Sequence, residues 1–370
     1  MSESTSPWTP SSALTALLYT DFDGEPADPD DVIADALDGG YTERTDGLRG
    51  ILQDAAADPV ERFLACCALA TWADPVGYQA VLEACAAGER AVWLGASYDR
   101  FHGVDDTFGQ LAHCVGGSSE MAAERGTADE RLRAAKALLN LVDQHQFGRS
   151  LQWLLSDEIV AVHTKGIAAV AERGMDRIAS AETIGFDLGL QIAMLIVSLG
   201  DADESTGTSM ARRLIAAQPG ERALVELTDL VARGSGEQSL SLAAELTAAA
   251  NTQRMEQALS EARDRRLDRE RLRERFPHVH HLLRGYFHLS FVAGSLSHAE
   301  AVDSYLTLTP KEELRKTAEE LSSLVTEMDS RTRLARAVRS LGLSAATPRG
   351  VSLSQWLTDV AAIIRQHQKI

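Results

Sequence analysis

The chain has 370 residues, long enough for two or three domains or for one elongated array. Apolar residues make up 45% and aromatics only 5%, and the Ala- and Leu-rich apolar content favours helix over strand. A net charge of −18 argues against nucleic acid and anionic membrane as partners and favours basic ones.

Acid is concentrated at the start, where residues 1–60 hold thirteen Asp or Glu against two Arg. The opening "MSESTSPWTP" lacks the basic and apolar regions of a signal peptide, and the longest apolar run, Ile192–Val197, is far too short to span a bilayer. A soluble, cytoplasmic protein is expected. "LLYTDFDGEP" (Leu17–Pro26) resembles the first motif of haloacid-dehalogenase-type phosphatases, and "IVSLGDADES" (Ile196–Ser205) echoes their last acidic motif. That chemistry needs both loops at the ends of parallel strands, and the chain between them reads as helix. Calcium chelation by "DFDGEPADPDD" is disfavoured because Gly24 comes too early for an EF-hand and the closing Glu is missing. The run Asp28, Asp30, Asp31, Asp35 is instead a candidate partner-binding surface, since clustered carboxylates pair with Arg and Lys.

From residue 58 the chain reads as helix after helix. "DPVERFLACCALATWA" and "DPVGYQAVLEACAAG" each place Asp at a cap and Pro at the first helical position, which predicts an αα-hairpin. Cys66 and Cys67 sit in the first of these as small buried hydrophobes, and the four cysteines show no zinc spacing. Further on, Leu132, Ala135, Leu139 and Val142 mark one face of an amphipathic helix. Short helices broken by Gly, Pro, Asp and Ser over 58–253 suggest an irregular α-solenoid of HEAT or armadillo type, with a compact irregular bundle as the alternative.

Residues 254–275 carry eight Arg and six acids and read as a charged connecting helix. The final segment, 276–370, carries the clearest local signals. "SHAE" (Ser297, Glu300) and "TPKE" (Thr309, Glu312) both have capping-box spacing. Apolar stripes follow at Leu314, Ala318, Leu321, Val325, Met328, at Leu334, Val338, Leu341, and at Trp356, Val360, Ile363. Gly342 is a candidate left-handed C-cap.

"FPHVHHLLRGYFH" (Phe276–His288) holds four of the ten histidines. On a helix His278 and His281 share a face, yet no Asp, Glu or Cys accompanies them, so core-edge histidines are favoured over a metal site. No GxSxG, Walker A or GxGxxG motif occurs, and adjacent His113 and Cys114 point about 100° apart on a helix. The residue pattern gives no support for an enzyme, a metal or a cofactor.

Phe276-Pro277, then Gly285-Tyr286-Phe287-His288, then Leu341-Gly342 and Trp356-Leu357 occur in a fixed order. The ordered set resembles the contact-dependent growth inhibition immunity proteins, a bacterial family. One departure is that Leu289-Ser290-Phe291 follows the Gly-Tyr-Phe-His segment where the family commonly has Gln-Asp and an aromatic. The resemblance implies an antitoxin that binds one cognate toxin protein stoichiometrically. Tyr286 and His288 join the acidic run as candidate partner-binding residues, Tyr being enriched at interface hot spots. The alternatives are a helical-repeat scaffold without a toxin and a metal-dependent hydrolase using Asp21 and Asp23 or the histidines. The expectation is thus an all-α protein with an acidic segment (1–57), a solenoid-like region (58–253), a charged helix (254–275) and an immunity-protein-like module (276–370).

Overall fold

A computed structural model describes residues 8–99, 103–180, 182–234, 236–287, 297–328, 330–344, 347–348 and 350–368. The fold is all-α. Among the described residues the extended pairings are a two-residue hairpin, β1 (Tyr98–Asp99) with β2 (Val104–Asp105), and one bridge between Thr20 and Pro26. Contacts group the chain into two compact units: residues up to Ile159 with Lys165–Leu195, and Val160–Thr164 with Ile196 onward. No helix among the described residues is long and apolar enough to cross a membrane.

The first unit runs through α1 (Ser12–Leu18), α2 (Pro29–Asp35), α3 (Tyr41–Gln53), α4 (Pro59–Thr71), α5 (Pro75–Ala87), α6 (Thr107–Gly117), α7 (Ser119–Arg125), α8 (Ala128–Leu139), α9 (Leu151–Leu154) and most of α10 (Asp157–Ala179). Three of these begin in the same way. Asp28, Asp58 and Asp74 cap α2, α4 and α5, each accepting from the N–H two residues on, and Pro follows where its missing donor costs nothing. The predicted α4–α5 hairpin is present, and the two backbones approach so closely that a Cβ on Gly77 would lie 2.6 Å from the Ala70 nitrogen. Cys66 and Cys67 are buried there as free thiols. On α8, Ala135 and Leu139 are buried and Val142 is buried just beyond, while Leu132 is only half-buried. Ala134 and Leu138 complete that face.

The second unit takes the latter part of α11 (Leu188–Ala202), then α12 (Glu204–Ala216), α13 (Glu221–Glu226), α14 (Thr228–Arg233), α15 (Glu237–Ala249) and α16 (Gln253–Arg275). It closes with α17 (Pro277–Tyr286), α18 (His298–Leu308), α19 (Lys311–Glu327), α20 (Arg331–Ser340) and α21 (Leu353–His367). The charged run 254–275 is one helix that packs on α13, α14 and α15. Its charge does not cover every face, because Met255, Leu259, Ala262 and Arg266 form a buried stripe at helical spacing.

In the C-terminal module α17 to α21 surround one core that includes Phe276, Val279, Leu283, Phe287, Tyr305, Leu321, Leu341 and Trp356. The Ser297–Glu300 capping box forms. The expected box at Thr309 does not, since Thr309 ends α18 by donating its N–H to the Tyr305 carbonyl. The helix α19 instead starts at Lys311, with Pro310 at the N-cap position and no side-chain cap bond, and Glu312 pairs with Arg315 at 2.7 Å. Gly342 adopts the predicted left-handed conformation, at φ +105°. On α21 the inward stripe runs Trp356, Val360, Ile364, a spacing of four, and leaves Ile363 exposed.

Candidate functional site

Asp28, Asp30, Asp31 and Asp35 lie on or at the cap of α2, with Val32 and Ile33 buried on its other side. Asp28, Asp30, Asp31 and Asp35 are all exposed, and Asp28 is held at the cap by accepting from the Asp30 N–H at 3.0 Å. Their surroundings carry more acid and two exposed apolar side chains, Phe22 and Leu37. Asp21 is engaged in local structure: its Oδ1 accepts from the N–H groups of Asp23 (2.9 Å) and Glu25 (2.8 Å). Arg44 reinforces the turn by donating to the carbonyls of Leu17, Thr20 and Asp21. Asp201 pairs with Arg233, and Asp203 caps α12. Asp21, Asp201 and Asp203 therefore have structural partners, whereas the Asp23 side chain is exposed and only its backbone N–H is engaged, with Asp21.

The histidines of 276–288 diverge. His278 Nδ1 donates to Glu320 Oε1 at 2.6 Å, while the other oxygen of that carboxylate accepts from the backbone N–H groups of His278 (2.9 Å) and Val279 (3.0 Å). Glu320, reaching across from α19, thus supplies the negative charge that the N-terminus of α17 lacks in its own first turn. His280 turns away and donates to the Leu341 carbonyl at 2.8 Å. Burial holds the His280 imidazole below its usual pKa, with Arg273 and Arg284 adding to the effect. His281 is exposed beside Tyr286 and Tyr305. His288 lies outside the described residues. Among the described residues no group of three or more His, Cys, Asp or Glu is placed to hold a metal ion.

Tyr286 is half-buried and meets Tyr305 edge-on, with ring centroids 5.0 Å apart. The Tyr305 hydroxyl is hydrogen-bonded to Thr317 at 2.6 Å inside the core. Phe287 is fully buried against Trp356, 5.1 Å between centroids. Phe276 is buried, Pro277 takes the first position of α17, and Leu341 and Leu357 are core residues. A Cβ on Gly342 would lie 2.8 Å from the Arg284 Cβ, so close packing and backbone conformation both require glycine. The motif set is therefore mostly punctuation and core of the module, with Tyr286 as its partly accessible member.

Several polar groups escape a reading of the sequence because their partners are remote. Glu320 is one. Arg131 is another: it is buried yet donates to the carbonyls of Val115 (3.0 Å) and Gly116 (3.1 Å) and to Glu158 (2.7 Å). On α16, Arg266 is buried and donates to Glu270 (3.0 Å) and Ser239 (2.9 Å), and Arg269 donates to the Gly234 carbonyl (2.8 Å). The sequence signal for this row is its spacing on the face that carries the buried stripe.

Residues 275–364, the C-terminal module, match a family model described as CdiI immunity protein. Neither the curated proteins nor the solved structures yield a match to the chain.

Proposed function

We propose that this chain is an immunity protein that neutralises a cognate bacterial toxin by stoichiometric protein–protein binding, without catalysis, in the cytoplasm. The observation that carries this reading is the family match over 275–364. In it the segment boundaries at 57, 253 and 275 separate an acidic arm, a HEAT- or armadillo-like helical array, a charged helix and the immunity module. Because the residues that carry the module's motif are largely committed to its core, partner discrimination falls to the surface. The carboxylates of Asp28, Asp30, Asp31 and Asp35 suit a basic toxin, and Tyr286 and His288 are the aromatic candidates on the module.

The test is co-expression with the product of the neighbouring reading frame. That product should be toxic alone, harmless together with this chain, and should co-purify with it at a fixed ratio. Killing that persists despite a folded, expressed partner defeats the proposal. Replacing Asp30, Asp31 and Asp35 together by Asn should slow association by about tenfold at low salt and far less at high salt, as steering by exposed charge requires. An unchanged association rate removes the acidic helix from the interface. A second reading, an adaptor without a toxin, draws on the residues before 275, which lie outside the match. A pull-down that recovers several unrelated proteins rather than one toxin would favour it.

A further inference from the structure

The second unit contains a cluster of cations whose counter-charge is incomplete. Arg266, Arg269 and Arg273 fall on one side of α16, at helical spacings of three, four and seven, and Arg284 approaches from α17. Arg266 is satisfied by Glu270 and Ser239. Arg269 makes a bond to the Gly234 carbonyl, but its Nε is buried with no acceptor among the described residues. Arg273 is also half-buried with its Nε unpartnered, and no described residue forms a hydrogen bond or ion pair with it. Burial lowers the pKa of the Arg269 guanidinium to about 10, helped by the repulsion of Arg273 and Arg266. Burial also lowers that of Arg273, with Arg284 as the largest repelling charge.

The nearby acids are engaged elsewhere. Glu270 is bound to Arg266, Asp201 to Arg233, and Glu204 accepts from the Gly236 N–H at 2.9 Å. Asp201 and Glu270 still attract Arg269, and Glu270 and Glu204 attract Arg273, yet none of these carboxylates takes the buried Nε donors of the two arginines. Buried donors are paired in the great majority of cases, and an unpaired one is costly, most of all on a charged group. Arg269 and Arg273 lie one turn apart on α16 where it packs on α17, which carries Arg284, and neighbouring guanidinium groups suit oxyanion recognition because their forked donors match phosphate geometry.

We propose that Arg269, Arg273 and Arg284 form a binding site for a small oxyanion of the phosphate type, free or carried on a nucleotide. The bound anion neutralises the arginine row and stabilises the second unit.

The experiment compares thermal unfolding of the full chain in chloride and in inorganic phosphate at matched ionic strength, for wild type and Arg273→Gln. Phosphate at about a hundred times its Kd should raise the wild-type Tm by roughly 5 °C. It should leave Arg273→Gln unmoved. In chloride the variant should be at least as stable as wild type, because the substitution removes a repelled charge without removing a partner. Should Arg273→Gln fail to fold, Arg284→Gln, on an exposed side chain, should show a reduced phosphate shift. A nucleoside 5′-monophosphate forms a further arm: tighter binding than phosphate supports the site and identifies a nucleotide, and equal or weaker binding supports it for the free ion. No phosphate-specific rise in the wild type, or an equal rise in both variants, overturns the proposal.

Discussion

Both units take charged side chains out of water, and one site in each treats them differently. In the first unit Asp74 is fully buried, yet its carboxylate accepts from Arg49 (2.6 Å), Arg125 (3.0 Å) and the Val76 N–H (3.0 Å). Arg131, equally buried, has three acceptors. In the second unit Arg269 and Arg273 are less buried and less satisfied. Burial alone therefore does not mark a group as functional. What separates the Asp74 and Arg131 networks from Arg269 and Arg273 is whether the fold itself completes the hydrogen bonds. The Arg131 network closes the C-terminal carbonyls of α6 from within the chain, a structural use of charge. The α16 row leaves donors for something outside it.

The largest test of this contrast is Arg131→Ala. It would leave the Gly116 carbonyl and the partly exposed Glu158 without this donor and the Val115 carbonyl with only the Ser118 hydroxyl, so the loss should reach about 3 kcal/mol, the low end of the range found when one member of a buried ion pair is removed. Urea denaturation should show the loss, and amide exchange near Val115 and Gly116 should accelerate most. The same measurement on Arg273→Gln in chloride should show no loss. Similar losses at both positions would erase the distinction between a completed and an open network.

How much of this is legible from sequence follows from where each partner lies in the chain. Asp58 and Asp74 can be read as caps because each bonds an N–H only two residues on, and the following Pro removes alternatives. The apolar stripes are legible because helical period fixes which residues share a face, though Ile363 misses the inward face of α21 by one residue. The Thr309 capping box fails because Tyr305 competes for the same residue from the preceding helix, a contact that spacing alone does not show. Glu320 bonds His278 across 42 residues and Arg131 bonds Glu158 across 27, and no local pattern announces either. The candidate site divides likewise: α2 shows its carboxylates in sequence, whereas the unpaired state of Arg273 exists only once α16 and α17 are placed.

Gly342 offers a test of intermediate size, at a position that is legible. With φ at +105° and the Arg284 Cβ only 2.8 Å from where a Cβ would sit, Gly342→Ala meets both backbone strain and a clash. A loss of about 2 kcal/mol is expected in urea denaturation followed by fluorescence of a variant that keeps Trp356, seated in the same core, as its one tryptophan. A loss under about 0.5 kcal/mol would show that the α20–α21 joint adjusts freely, and would weaken its role in holding Arg284 beside α16.

Glu320→Gln is the smallest and the most diagnostic of how the module uses charge. The amide keeps an acceptor for the His278 and Val279 N–H groups, so geometry is preserved while the negative charge at the start of α17 is lost. Charge near a helix N-terminus contributes about 0.3–1 kcal/mol, and rather more where it is partly buried, as Glu320 is at 17% side-chain exposure. The expected loss is therefore about 1 kcal/mol. It should shrink only slightly in high salt, because partly buried charges are screened far less than exposed ones. A loss that vanishes in salt would mean that water already solvates this helix end. In that case the His278–Glu320 pair would be a surface contact, freeing that face of the module for partner recognition.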